Sequence, residues 1–202
     1  MPTLFCDLSG VVFTDPPQRC VEQWQAANGG RLGIRTMAEL RDDVLAGFET
    51  GRVGEPEYLS HLRDRLGWTG PDAELIRIWT SARPAVALDV LAVLTALRER
   101  GWQLIAASVA DPWRERALAE DFGWVMSLFD RVVRSTDLGA RGTDPRFFAE
   151  LTRGVPRHGP RIYVGDDPQL VSAARRSGLD GHLFADAAGL KAACTSLVLA
   201  SS

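Results

Sequence analysis

Lysine is nearly missing from this chain: of 23 basic side chains, Lys191 is the one lysine and the rest are arginine. Chemistry that needs a primary amine therefore has a single candidate. Cysteine is scarce as well. Cys6, Cys20 and Cys194 are odd in number and widely separated, which argues against a disulfide framework and a metal cluster and leaves them as core or surface thiols. No apolar run approaches the ~20 residues that cross a bilayer, and the start, Met1 to Asp7, lacks the charged head of a signal peptide. A cytoplasmic protein with no membrane partner is expected. There is no basic excess either: 23 basic against 26 acidic residues leave a net charge of −3, so no nucleic-acid partner is expected. What is present, 202 residues of which 46% are hydrophobic, suffices for one sizeable core with a smaller lobe at most.

Thr3-Leu4-Phe5-Cys6-Asp7-Leu8 is a short apolar run that ends on a polar residue before Ser9-Gly10, the pattern of a buried parallel strand opening into a loop. Asp7 stands where that strand stops, and in open α/β sheets ligands bind at the carboxyl ends of strands. From about residue 15 to 83 strand signals vanish. Apolar residues recur at helical spacing around Met37 to Phe48, Pro56 to Leu66 and Ala73 to Trp79, with Gly51, Gly54, Gly67 and Gly70 at the breaks.

After Pro84 helix and strand alternate: helix Val86 to Arg100, strand Trp102 to Ala107, helix Pro112 to Phe122, strand Phe129 to Val133. Helix Asp144 to Thr152, strand Arg161 to Val164, helix Gln169 to Ser177 and strand Gly181 to Phe184 follow. The expected fold class is α/β, a doubly wound parallel sheet with an inserted small helical lobe. Residues 1–14 and 84–202 form the core and 15–83 the insertion.

Four segments fall at strand ends: Asp7-Leu8-Ser9-Gly10-Val11-Val12, Ala106-Ala107-Ser108-Val109, Leu138 to Pro145, and Val164-Gly165-Asp166-Asp167-Pro168. Singly, each has a structural reading as a turn, loop or helix cap. Jointly and in this order they resemble the four motifs of the haloacid dehalogenase-like hydrolase superfamily. The helical insertion resembles its small cap, and Gly47 to Tyr58 is similar to a cap segment of a sugar-phosphatase-like subgroup.

The resemblance implies a Rossmann-like core and a Mg²⁺-dependent phosphatase of a small phosphorylated metabolite. It places Asp7 as the nucleophile that attacks phosphorus, giving an aspartyl-phosphate that water cleaves. A carboxylate suits that role because it is ionised at neutral pH and divides one difficult displacement into two easier ones. Mg²⁺ would be held by Asp7, Asp166 and the carbonyl of Ser9, with Asp167 as outer charge or water ligand, since hard oxygen donors favour that cation. Ser108 matches the hydroxyl that donates to a phosphoryl oxygen. Leu8 and Gly10 would offer backbone N–H groups to the same oxygens. Ser9, Val109 and Arg141 complete the expected substrate side.

Two positions depart from the pattern. Ser9 stands where the superfamily's phosphatases usually carry a second aspartate, and its hydroxyl does not exchange protons near neutral pH. General acid–base help is worth typically about 10² to 10⁴ in rate. Gly142 stands where Gly-x-Arg-Lys-Pro-Asp-Pro has its lysine, in Gly139-Ala140-Arg141-Gly142-Thr143-Asp144-Pro145. Two functions therefore stay open: a phosphatase with reduced acid–base help, and a non-catalytic descendant that binds a phosphorylated ligand or a protein partner. Dehalogenation fits less well, because the dehalogenases compared have an aromatic residue at the position of Ser9 and need the lysine. His61, His158 and His182 lack Ser or Cys partners at a recognisable spacing and receive no catalytic role. Trp24, Trp68 and Trp79 are expected in the core of the inserted lobe, and Cys6 on the strand face opposite Asp7.

Overall fold

The computed structural model describes residues 1–14, 17–81 and 84–200, and of residues 17, 18 and 198–200 the backbone alone. The expected lobe limits at 15 and 83 and the core's end at 202 lie outside the described residues.

Strand β1 (Thr3–Asp7) is the centre of the sheet, and all five of its residues are buried, as its unbroken apolar run requires. It is flanked by β4 (Gln103–Ser108) on one side and β6 (Arg161–Gly165) on the other. Beyond these lie β5 (Arg131–Arg134) and β7 (Asp180–Leu183), giving a five-stranded parallel sheet in the order β5-β4-β1-β6-β7. Both faces are covered. Leu4 and Cys6 pack under α5 (Leu88–Glu99), α10 (Ala187–Ala200) and the far end of α6 (Pro112–Met126). Phe5, Ile105 and Tyr163 face α8 (Pro145–Leu151) and α9 (Pro168–Arg176). Strand alternation thus sends Cys6 away from the face that Phe5 and Asp7 share.

After Asp7 the chain makes one tight turn, in which the Leu8 carbonyl accepts from the N–H groups of Val12 and Phe13 at 3.0 and 2.8 Å. It leaves the core through β2 (Phe13–Thr14) and returns through β3 (Ala85–Val86), which pair antiparallel. Between them lie α1 (Pro17–Ala27), a 3-10 turn (Met37–Leu40), α2 (Asp43–Phe48), α3 (Glu55–Leu66) and α4 (Asp72–Ser81). Trp24, Trp68 and Trp79 are buried here with Phe48, Tyr58 and Leu62. The core reaches into this cluster: Trp113 of α6 lies against Phe48 and Tyr58, with ring centroids 4.9 and 5.5 Å apart.

Some expected boundaries move. The helix expected from Val86 begins at Leu88, because Ala85–Val86 is drawn into pairing with Phe13–Thr14. The helix expected to end at Phe122 passes through a kink there, at φ −128° and ψ 28°, and continues to Met126. A short α7 (Ser135–Leu138) follows β5 without having been foreseen. Among the described residues no helix is long and apolar enough to cross a membrane.

Candidate active site

Asp7 ends β1 at the carboxyl edge of the sheet and is only 4% exposed. Burial pushes its carboxyl up to about 8, and the Asp166 carboxylate is the next cause; Tyr163 and the Leu8 backbone N–H pull the other way. Asp166 follows β6, next to β1 in the sheet. Its position depends on Gly10, which has φ +74°: a Cβ built there would lie 2.0 Å from the Asp166 Oδ2. Glycine both permits that backbone and leaves room for the carboxylate. The first and fourth motifs are in this way brought to one place, with two acidic groups facing each other. Among the described residues no arginine or lysine forms an ion pair with Asp7.

That donor set fits a hard divalent cation. Among the described residues no group of three or more His, Cys, Asp or Glu side chains gathers as a metal site. A cation here would rest on the carboxylates of Asp7 and Asp166, with carbonyl oxygen and water making up the rest. Mg²⁺ accepts such a site because it keeps several of its waters. Asp167 has a structural role: its Oδ1 accepts from the Gln169 N–H at 2.7 Å and caps α9. It still adds negative potential at Asp7.

Three of the other expected donors, on Leu8, Gly10 and Ser108, have partners within the protein. The Leu8 N–H donates to the Ala107 carbonyl at 3.1 Å and the Gly10 N–H to the Phe13 carbonyl at 2.8 Å, so neither is an open donor for a phosphoryl oxygen here. Ser9 is exposed beside them. Ser108 is buried, with its hydroxyl turned to Glu115 on α6. Glu115 is itself pushed up to about 7, by burial against the hydroxyls of Thr136 and Ser108 and the Arg134 cation. Lys191 is exposed on α10.

Gly142 has a clear physical setting. A Cβ there would lie 2.7 Å from Leu170 Cδ2 and 3.0 Å from Val109 Cγ2. The space next to this position is taken by the ends of two apolar side chains, and Val109 packs there. Arg141 is exposed; its guanidinium acts on Glu49, holding down a carboxyl that burial and Asp111 push up to about 7. It also lines a cavity of about 400 Å³ with Arg52, Thr143 and Arg146, to which Asp7 does not contribute.

Several residues in this region carried no sequence signal. Tyr163 donates from its hydroxyl to Asp7 Oδ2 at 3.2 Å, yet within a strand it reads as ordinary core. Asp111 is buried and accepts at Oδ1 from the N–H groups of Trp113 and Arg114 as the cap of α6. Its Oδ2 accepts from Trp79 Nε1 at 2.9 Å, tying α4 to the core.

No family model matches the chain. Among solved structures it is similar to a HAD family enzyme from Bacteroides thetaiotaomicron, with TM-score 0.76 and 18% identity over 91% of this chain and 93% of that one. The same enzyme in complex with magnesium and inorganic phosphate gives 0.75, at 18% identity and the same coverage. A predicted HAD-like family hydrolase from Porphyromonas gingivalis gives 0.73 at 18% identity, covering 91% and 90%. L-2-haloacid dehalogenase from Xanthobacter autotrophicus gives 0.62 at 17% identity, covering 89% and 76%. The chain has the haloacid dehalogenase-like fold.

Proposed function

We propose that this protein is a Mg²⁺-dependent phosphomonoester hydrolase acting on a small phosphorylated metabolite, with Asp7 as nucleophile. The observation that carries this reading is the convergence of the Asp7 and Asp166 carboxylates beside Gly10, a buried acid facing an exposed one. The complex of the Bacteroides enzyme of the same fold with magnesium and inorganic phosphate supports it. Asp7, Asp166 and the Ser9 carbonyl would hold the cation. When bound, it offsets the repulsion between Asp7 and the substrate's phosphate and stabilises charge on the phosphoryl oxygens.

In this reading Asp7 is the reacting group that the chain itself supplies. An Asp7 carboxylate oxygen forms a bond to phosphorus while the bond from phosphorus to the ester oxygen breaks. The leaving alcohol takes its proton from water, since Ser9 supplies no acid. A water then attacks phosphorus, the aspartyl-phosphate bond breaks, and inorganic phosphate leaves with Asp7 restored. With Ser9 and Gly142 in place, both steps run without acid–base help from position 9 and without a lysine at position 142, so turnover is slow.

The test is phosphate release from a broad panel of phosphomonoesters, with Mg²⁺ or with chelator, beside Asp7→Asn. Metal-dependent release that Asp7→Asn abolishes is the expected result, and release no greater than that of the variant overturns it. The apolar filling around Gly142 favours a second reading, a non-catalytic protein that binds a phosphorylated ligand in the same cleft. It predicts a thermal shift with Mg²⁺ and sugar phosphates, without turnover.

A further inference from the structure

We infer that Tyr163 is a positioning residue for the nucleophile, holding one oxygen of Asp7 so that the other faces the reacting phosphorus. This rests on the proposed phosphomonoester hydrolysis. The Tyr163 hydroxyl donates to Asp7 Oδ2 at 3.2 Å, across neighbouring strands of the sheet, and both side chains are buried. A carboxylate at a strand end turns freely about its last bond, and a single directed donor removes that freedom by making one oxygen the acceptor. Oδ2 is the held oxygen, which leaves Oδ1 to attack.

Two further features keep the phenol in place. Its ring meets Phe148 edge-on, with centroids 5.3 Å apart and planes at 78°. Gly165, two residues on and on the same strand face, leaves the space the ring occupies: a Cβ there would lie 3.0 Å from both Tyr163 Cε1 and Oη. Position 142 itself carries no cation, and a Cβ there would press on the side-chain ends of Leu170 and Val109. A neutral donor thereby stands at the nucleophile of a chain that has lost its cationic one. Tyr163 does not replace the lysine's charge; it fixes the direction of the carboxylate.

Tyr163→Phe tests this, because it keeps the ring and its packing and removes only the donor. With Mg²⁺ and para-nitrophenyl phosphate, kcat should fall roughly tenfold, the scale of losing one hydrogen bond to a charged group, while KM stays within about twofold. An unchanged kcat, or a change confined to KM, overturns the inference, given that the variant's melting temperature shows it folded. A second measurement needs no turnover. The chain has only two tyrosines, so the slowly exchanging hydroxyl proton of Tyr163 can be assigned by proton NMR as the resonance absent from Tyr163→Phe and kept in Tyr58→Phe. It should shift on Asp7→Asn. If it does not, the Tyr163 contact is refuted; if it does while the wild type releases no phosphate, the hydrolase reading fails and the contact stands.

Discussion

Mg²⁺ should bind this protein with release of a proton, and its affinity should climb steeply with pH. Asp7 is raised from 3.8 to about 8, chiefly by burial and then by the facing Asp166 carboxylate. That rise corresponds to ~6 kcal/mol against the ionised form. The metal takes only the ionised carboxylate, so each unit of pH below that value weakens apparent affinity about tenfold. Between pH 6 and pH 8.5 the apparent Kd should therefore tighten by roughly two orders of magnitude and then level off. Titration calorimetry at pH 7 in two buffers of different ionisation heat should report most of a proton released per ion bound. Asp7→Asn should remove both the proton release and most of the affinity. A Kd that moves by less than about threefold over that range, with no proton release, would refute the premise that metal-free Asp7 is protonated at neutral pH.

Two further outcomes are expected. Placing lysine at position 142 should destabilise the protein by about 1–3 kcal/mol in chemical denaturation, since its Cβ collides with Leu170 and Val109. Leu170→Ala in the same chain should recover part of that loss, and only the combination Ser9→Asp, Gly142→Lys and Leu170→Ala should raise phosphate release; a Gly142→Lys variant as stable as wild type contradicts the packing. Glu49 and Glu115 are each raised to about 7 from 4.5, mainly by burial. A carboxyl raised on folding contributes stability that is full below its unfolded value and lost as pH climbs through the folded one, so with Mg²⁺ absent the melting temperature should fall from pH 5 to pH 8. Glu49→Gln with Glu115→Gln should flatten that slope, and an unaltered slope would show the two carboxyls to be unperturbed.

The fold was largely legible because its signals are periodic. The unbroken apolar run of β1 and the alternation after Pro84 define a parallel sheet from one sequence alone, and the helical spacing of residues 37–79 defines the insertion. Asp7 and Asp166 were legible as candidates because one ends β1 and the other follows β6, at the carboxyl edge where ligands bind in open α/β sheets. What was not legible depends on side-chain direction. Ser108 is named by its motif, yet whether its hydroxyl meets a ligand or Glu115 depends on a residue in α6. The backbone donors of Leu8 and Gly10 depend on the turn that Val12 and Phe13 close. Tyr163 looks like core from its strand, and the gap left by Gly165 has meaning only once both are seen in space.

The pairing of Phe13 with Val86 and of Thr14 with Ala85 brings the two ends of the inserted segment together, at the ~5 Å spacing of neighbouring strands. In such a graft the core is joined through a two-residue clasp, and whatever lies beyond it can be exchanged without altering the register of the sheet. Further contacts limit the exchange, among them Trp113, a core residue within the insertion's own apolar cluster, and Asp111, whose Oδ2 accepts from Trp79. Any replacement has to cover an indole and supply a donor to a buried carboxylate. The graft point is permissive, and selection among grafts falls to the first turn of α6.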